Sequence, residues 1–161
     1  MPIEPPTIAA LAGLAATFDE VGPRLAAHIV ALCELRADQR ILDVGCGIGR
    51  VALPLTAHRG PEGIYEGFDI VAEAVDWCRA NITAAHPQFR FRHVPIFNER
   101  YNPTGSVPDT EFVFPYDDAS FDLVLLTSVF THMLEAGVEQ YTGEIARVLR
   151  PGGRLFASMF M

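Results

Sequence analysis

The sequence contains no lysine, because all 12 of its basic residues are arginines. This absence excludes a lysine Schiff base and the P-loop type of phosphate transfer, since both chemistries use a lysine amine. Only three cysteines are present. They are too few for a disulfide framework and lack the spacing of a zinc site. We therefore expect reduced thiols in a cytoplasmic protein.

Long hydrophobic runs are also missing. The longest uncharged stretch covers residues 5–18, which is too short to cross a membrane, and no basic residue precedes it as in a secretion signal. Acidic residues outnumber basic ones by 20 to 12, which gives a net charge of −8. Diffuse negative charge repels phosphate backbones, so we expect no nucleic acid as partner. Because no apolar run is long enough to cross a membrane, we expect no membrane as partner either.

Half of the residues are hydrophobic, which suffices for a packed core in a chain of this length. Apolar runs predict strands, and apolar residues at steps of three and four predict helices. The strands are predicted at 41–44, 63–69, 89–94, 121–127 and 154–161, and the helices within 1–38 and at 49–58, 71–85 and 135–149. This alternation predicts an α/β fold with a doubly wound parallel sheet, which binds ligands beyond the carboxyl ends of its strands.

Prolines and glycines mark the breaks between these elements. Pro23 is placed in the first turn of a helix, where proline is tolerated. Residues 95–116 contain four prolines and a glycine among them, which predicts a long loop, and residues 150–153 predict a turn. We divide the chain into an N-terminal helical cap at 1–38 and a sheet domain at 39–161.

A glycine-rich turn follows the first predicted strand. Gly45, Gly47 and Gly49 alternate with other residues behind Asp43, and glycines let a backbone turn sharply and approach a ligand closely. The loop opens a helix, whose amino end favours a negative group. Arg50 stands where the dinucleotide fingerprint has its third glycine, which weakens a nicotinamide interpretation. A tight turn without a ligand is the structural alternative.

Asp69 ends the second predicted strand. A carboxylate at this place can accept hydrogen bonds from both hydroxyls of a ribose. It can also cap the helix that follows, since aspartate favours that position. The glycine loop ahead of it favours ribose binding.

Four ordered motifs resemble a class I S-adenosylmethionine-dependent methyltransferase. They are ILDVGCGIGR, GFDI, FPYDDASFDLVLLTSVFTHM and EIARVLRPGGRLFAS, and the segment YNP-G at 101–105 is similar to bacterial methyltransferase type 11/25-like domains. The resemblance covers about residues 18–161. It implies strand order 3-2-1-4-5 and S-adenosylmethionine as cofactor, with S-adenosylhomocysteine as product. It also implies two further strands, which we expect to be missing because the chain stops at Met161.

The resemblance implies a role for each of several residues. The glycine loop would line the methionine part of the cofactor, Asp43 would bind its amino end, and Gly49 would allow close helix packing. Asp69 would hold the ribose, and Thr127 and Ser128 would border the sulfonium. Ile70 would press on the adenine and Asn98 would lie near its edge, while Pro95 stands where relatives often have an acidic residue. The cofactor-binding candidates are Asp43, Gly45, Cys46, Gly47, Asp69, Ile70, Asn98, Thr127 and Ser128.

The acceptor side is less defined. His132 is the first candidate for a general base, because histidine titrates near neutral pH, but it is also a candidate for a pocket-wall or helix-start residue. Tyr101 and Asp117 are weaker candidates, and the acidic pair at 117–118 can be a solvated turn. Tyr101 and Phe130 are the predicted acceptor contacts. Phe130 belongs to an aromatic set that forms either an acceptor pocket or core: Phe112, Phe114, Tyr116 and Phe130.

Two functions remain open. The first is methyl transfer to a small-molecule acceptor by in-line displacement, in which the protein mainly orients the reactants. The second is a cofactor-binding fragment or inactive methyltransferase-like module without turnover. The histidines lack metal-ligand spacing, so no metal site is predicted. An exposed apolar edge at the last strand would invite pairing with a second copy of the chain.

Overall fold

The computed structural model describes residues 18–158. Two helices continue into short turns, a 3-10 turn at Thr56–His58 and a π turn at Arg79–Thr83. Two separate 3-10 helices lie at Asp109–Glu111 and Phe130–His132. None of the helices in this part of the chain is long and apolar enough to span a membrane. The main elements are α1 (Phe18–Leu32), β1 (Arg40–Val44), α2 (Ala52–Leu55), β2 (Ile64–Asp69), α3 (Ala72–Cys78), β3 (Phe89–His93), β4 (Phe121–Thr127), α4 (Glu135–Val148) and β5 (Leu149–Ser158).

The five strands form one sheet in the order β3-β2-β1-β4-β5, and every neighbouring pair is parallel. The predicted α/β fold and strand order are therefore confirmed. The order reverses between β1 and β4, and in such sheets a crevice opens above that point. β3 and β5 are the edge strands of the described sheet.

Both faces of the sheet are covered, which explains the nearly continuous apolar run of β4. Leu123 and Leu125 face a cluster that contains residues of α1, α2 and α3. Val124 and Leu126 face a second cluster, which contains residues of α4 and of the loop before β4. A strand buried on both faces needs apolar side chains at consecutive positions.

An arginine of α4 fixes the loop before β4. Arg147 donates to the carbonyl oxygens of Phe114 and Tyr116 at 2.9 and 2.8 Å. Glu144 pairs with Arg147 at 2.7 Å and accepts a hydrogen bond from the Phe114 amide at 2.6 Å. Phe112 and Phe114 are buried and stack edge-on against Phe68. These two aromatics therefore belong to the core and not to an acceptor pocket.

Several predicted boundaries were wrong. β5 begins at Leu149 and not at 154, because residues 150–153 form an irregular start of the strand, with Gly152 at φ +80° and a register shift opposite β4. Pro23 lies inside α1, beyond its first turn. α2 covers four residues only; it contains Pro54, which lacks a backbone donor. The predicted helix before Phe18 and the end of the last strand, 159–161, lie outside the described residues.

The N-terminal helix packs on the sheet domain. Ala26 and Ile29 of α1 are buried in the same cluster as Ile41 of β1. Gly22 lies so close to the turn after the glycine loop that a Cβ there would lie 2.5 Å from the Arg50 carbonyl oxygen. The division into a cap and a sheet domain stays a prediction.

Candidate active site

A cavity of about 500 Å³ opens at the carboxyl ends of β1, β2 and β4. This volume falls in the range of small-molecule sites. All the predicted cofactor-binding residues except Asp43 line it, and so do Tyr101 and His132. The loops that follow separate strands thus meet at one place, as the parallel sheet requires.

The glycine loop uses left-handed backbone at three positions, with φ of +72°, +53° and +73° at Gly45, Gly47 and Gly49. A Cβ at Gly45 would lie 2.4 Å from Val129, and one at Gly49 would lie 2.5 Å from Ile82. These two glycines therefore serve close packing. A Cβ at Gly47 would meet no described atom within 4 Å, so this position leaves open space in the cavity.

Asp69 joins the glycine loop to the end of β2. Its Oδ2 accepts a hydrogen bond from the Gly47 amide at 2.7 Å, and its Oδ1 accepts one from the Val71 amide at 2.9 Å. The second bond lies at the start of α3. Asp69 therefore accepts a hydrogen bond from the first residues of this helix and also lines the cavity. Burial raises the pKa of the Asp69 carboxyl. Each oxygen keeps a further lone pair that can accept a ligand hydroxyl.

Asp43 lies behind the cavity wall and is 1% exposed. The Tyr65 hydroxyl donates a hydrogen bond to its Oδ2 at 2.5 Å. Its Oδ1 is buried and has no hydrogen-bond partner within residues 18–158. Burial raises the pKa of Asp43 to about 7, although the Tyr65 hydrogen bond acts in the opposite direction. A buried acceptor without a donor is costly unless a ligand or water supplies one.

Two polar residues of the cavity wall, Asn98 and Ser128, form hydrogen bonds that hold the backbone around the cavity. Asn98 accepts hydrogen bonds from the amides of Arg100 and Tyr101 at 3.0 and 2.9 Å, which folds the loop after β3. Ser128 takes the left-handed conformation at φ +62°, and its amide donates to the Ser158 hydroxyl at 3.0 Å. A non-glycine residue in that conformation is uncommon and is often found at functional sites.

Only two of the four acceptor-side candidates lie in the cavity wall. His132 and Tyr101 both line the cavity, with their rings edge-on at 6.0 Å between centroids. Phe130 instead packs against the core cluster beneath the cavity, and it is absent from the lining. Asp117 does not line the cavity either. The structure therefore favours His132 and Tyr101 over the other two.

Three polar residues of the lining were missed by the sequence analysis. They are Arg50, Asp109 and Tyr141. Arg50 was noted only as a departure from the dinucleotide fingerprint. Asp109 lies in the long loop and Tyr141 on the apolar face of α4, and neither position carries a motif that could have indicated the cavity.

The described residues fit an adenosyl cofactor with an amino-acid end. Gly47 leaves space where a side chain would stand, Asp69 offers acceptors for ribose hydroxyls, and Asp43 keeps a buried oxygen without a donor. No group of three or more potential metal ligands lies within residues 18–158.

The sheet order and this cavity define a Rossmann-like cofactor-binding domain. A family model described as "Methyltransferase domain" matches residues 42–157. The chain therefore belongs to the methyltransferase domain family, whose cofactor is S-adenosylmethionine. The resemblance found in the sequence motifs is confirmed.

Curated relatives include enzymes with different acceptors. The chain is 32% identical to a 27-O-demethylrifamycin SV methyltransferase of Amycolatopsis mediterranei over 91% of this chain and 47% of the relative. It is 27% identical to a tRNA N(3)-cytidine methyltransferase, METTL2, of Gallus gallus over 74% of this chain and 30% of the relative. The chain thus spans half or less of these relatives.

Solved structures share the fold. A SAM-dependent methyltransferase from Aquifex aeolicus superimposes with a TM-score of 0.62 at 18% identity, over 88% of this chain and 70% of that one. The [4+2]-cyclase SpnF superimposes with a TM-score of 0.63 at 25% identity, over 84% of this chain and 43% of that one.

Proposed function

We propose that this chain provides the cofactor site of an enzyme that transfers a methyl group from S-adenosylmethionine to a small-molecule acceptor. One observation carries the proposal: the Gly47 amide and the Asp69 carboxylate meet at 2.7 Å in the wall of a cavity at the switch point of the sheet. When bound, the cofactor supplies a methyl group that is already activated on a sulfonium.

Residues of the glycine loop and of β2 would bind the cofactor. Asp69 would accept hydrogen bonds from the ribose hydroxyls through its free lone pairs. Asp43 lies behind the wall and does not line the cavity, so it would act on the amino group through its negative charge and not by direct contact. Gly45, Cys46 and Gly47 would lie against the amino-acid part, and Thr127 and Ser128 would border the sulfonium. The main task of such a site would be to hold donor and acceptor in line.

His132 would act on the acceptor. Its ring lies in the cavity wall beside Tyr101, and no residue within 18–158 forms a hydrogen bond with its imidazole nitrogens. A ring nitrogen would take the proton from an acceptor hydroxyl as the new bond forms. Tyr101 would hold the acceptor against His132 by ring contact.

Calorimetry with S-adenosylhomocysteine tests the cofactor site. We expect binding by the unchanged chain and a loss of about tenfold or more for Asp69→Ala, because hydrogen bonds to a charged group are removed. Asp117→Ala is the matched control, since that carboxylate lies outside the cavity lining. Absence of binding, or equal binding by the Asp69 variant, overturns the proposal.

A second candidate is a cofactor-binding module without methyl transfer. The likeness to SpnF, a [4+2]-cyclase, supports it, because this fold is not restricted to methyltransferases. Incubation with S-adenosylmethionine and a metabolite pool separates the two. Release of S-adenosylhomocysteine supports the enzyme, and tight binding without product supports the module.

A small molecule fits better than RNA as the acceptor. The net charge of −8 disfavours a phosphate backbone, and the relative with the higher identity is named for a rifamycin acceptor and not for tRNA. Pairing of two chains through the β5 edge stays a prediction, for which sedimentation velocity of the chain is the measurement.

A further inference from the structure

The YNP-G segment, residues 101–105, folds into a tight loop in the wall of the cavity. Tyr101 is the residue of this segment that lines the cavity. The Asn102 side-chain amide donates to the Ile96 carbonyl oxygen at 2.8 Å, and a Cβ at Gly105 would collide with the same oxygen. Asn102 and Gly105 therefore hold the loop against the segment that follows β3, and this packing places the residues at the start of the motif.

This loop presents Arg100 and Tyr101 side by side. The amides of both residues donate to Oδ1 of Asn98, at 3.0 and 2.9 Å. The Arg100 guanidinium lies over the Tyr101 ring, 5.2 Å from its centroid, and the centroid of the His132 ring lies 6.0 Å from that of Tyr101. Arg100 and His132 are thus neighbours of one tyrosine ring, so a small molecule that reaches the His132 imidazole also comes near the guanidinium.

The Arg100 guanidinium has no negative partner. Its side chain forms no hydrogen bond and no ion pair with any residue between 18 and 158, although acidic residues outnumber basic ones by 20 to 12. The arginine that does line the cavity, Arg50, follows the glycine loop and feels the charge of the buried Asp43. The planar fork of Arg100 therefore remains free for a ligand, and such a fork binds a carboxylate through two parallel hydrogen bonds.

The same loop makes the mouth of the cavity apolar. Phe97 lines the cavity and is nevertheless 51% exposed, so its ring faces both the cavity and the solvent. The carboxylates of Asp69 and Asp109 also line the cavity, and their charges repel an anionic group inside it. An acceptor with an acidic group would therefore direct this group outwards, to the exposed Arg100, and keep its apolar part against the Phe97 ring.

We infer that the acceptor is a hydroxylated carboxylic acid with an apolar body, whose carboxylate is bound by Arg100 while its hydroxyl faces His132. The inference rests on the proposed function and names the class of its acceptor. The methyl group goes to the hydroxyl oxygen and the hydroxyl proton to His132, so the carboxylate takes no part in the bond changes. One guanidinium balances the single charge of a carboxylate, whereas a phosphate monoester carries nearly two charges at neutral pH.

Separation of the metabolite pool by charge tests the acceptor class. An anion exchanger at neutral pH divides the pool into retained acids and a flow-through, and each part is incubated with the chain and S-adenosylmethionine. We expect release of S-adenosylhomocysteine with the retained acids, and we expect this release to persist after the acids are treated with a phosphatase. Release with the flow-through alone overturns the inference, and loss of release after phosphatase treatment overturns the assignment of a carboxylate.

Arg100→Gln removes the charge that is proposed to bind the acceptor. The concentration of retained acids that gives half-maximal release should rise roughly tenfold, because a hydrogen bond to a charged group is lost, whereas the maximal rate should change little. Arg100→Lys should recover part of this loss, since it restores the positive charge. Arg92→Gln is the matched control, because Arg92 also lies over a tyrosine ring, that of Tyr116, which does not line the cavity. Equal half-maximal concentrations for the two glutamine variants overturn the role of Arg100.

Calorimetry with S-adenosylhomocysteine separates this inference from the proposed function. Arg100→Gln should bind this ligand as tightly as the unchanged chain does, because Arg100 does not line the cavity. Weaker binding by the variant means that Arg100 only holds the loop, and it contradicts the inference. If the unchanged chain binds the ligand but releases no product with either part of the pool, methyl transfer is contradicted and the inference with it. Failure of the unchanged chain to bind contradicts the proposed cofactor site itself.

Discussion

The hydroxyl of Tyr65 on β2 donates a 2.5 Å hydrogen bond to Oδ2 of Asp43 on β1, and both side chains are buried. The bond crosses the two strands just below the glycine loop. It fixes one oxygen of the carboxylate and leaves the other, Oδ1, without a partner. Tyr65 thus orients an acidic group that lies behind the proposed cofactor site.

Removal of this hydroxyl should destabilise the fold. Tyr65→Phe leaves Asp43 Oδ2 buried without a donor, which costs about 1–3 kcal/mol. Urea unfolding measures the loss. Tyr141→Phe is the control, because the Tyr141 hydroxyl forms no hydrogen bond within the described residues and its removal should change stability little. Equal effects of the two variants would show that the Tyr65 bond contributes nothing.

The stability of the chain without ligand should fall as the pH rises from about 4 to about 7. The folded pKa of Asp43 is raised to about 7, whereas an unfolded aspartate titrates near 3.9. The folded state therefore binds the extra proton in this interval and loses stability as the proton leaves, by up to about 1.4 kcal/mol per pH unit. Asp69 acts in the same direction, because burial raises its pKa too.

Asp43→Asn provides the comparison for this pH dependence. The asparagine amide does not titrate. The free energy of unfolding of this variant should therefore vary less between pH 5 and 7 than that of the unchanged chain. Urea unfolding at pH 5, 6 and 7 is the measurement. Parallel curves for the two proteins would contradict the raised pKa.

Gly47→Ala should weaken S-adenosylhomocysteine binding by about tenfold or more, or about 1.4 kcal/mol, since the new Cβ enters the space proposed for the ligand. Gly152→Ala is matched to it, because both glycines are left-handed and both have open space at the Cβ position. The two variants should lose similar stability through backbone strain, and only the first should lose affinity in calorimetry. An unchanged affinity for Gly47→Ala would place the ligand elsewhere.

Arg147→Ala should lower the free energy of unfolding by about 2–4 kcal/mol. The change leaves two backbone carbonyl oxygens without the Arg147 donor and removes the cation that pairs with Glu144. Arg36→Ala is the control, since its pair with Asp38 is exposed and such pairs contribute about 0–1 kcal/mol. Chemical unfolding compares the two variants, and a loss for Arg147→Ala no larger than for the control would contradict a stabilising role of Arg147 on the loop before β4.

His132→Asn should slow methyl transfer by about 100-fold or more if the imidazole takes the acceptor proton. The affinity for S-adenosylhomocysteine should stay unchanged, because His132 lies on the acceptor side. His86→Asn is the control, since that ring packs edge-on against Phe89 and does not line the cavity. The measurement is the rate at which S-adenosylhomocysteine is released when the enzyme is incubated with S-adenosylmethionine and a metabolite pool. An unchanged rate for His132→Asn would exclude His132 as the base.

The sequence was sufficient to predict the parts of the molecule that depend on local pattern. The glycine spacing at 45–49, Asp69 at a strand end and the apolar run of β4 predicted the sheet and the crevice, whereas the strand order was implied by the resemblance of the motifs to methyltransferases. Residues at the carboxyl ends of parallel strands all lie at the same end of the sheet. The strand order therefore determines which of these residues are neighbours.

The missed residues depend on tertiary packing. Asp109 reaches the cavity only because α4 has a glycine opposite it, and Tyr141 reaches it from a helix face that reads as core. Phe130 reads as a pocket residue from its position after β4, yet its ring turns to the core cluster. Residues 150–153 read as a turn, but hydrogen bonding to β4 extends the strand through them.

The hydrogen bond from the Ser128 amide to the Ser158 hydroxyl means that the outermost strand helps to hold the backbone where β4 leaves the sheet. A substitution that removes the Ser158 hydroxyl would remove this hydrogen bond, and we expect it to change the crevice without replacing any of its lining side chains. We therefore expect that laboratory evolution of acceptor range can begin at a single hydroxyl of the edge strand, directly behind the lining of the crevice.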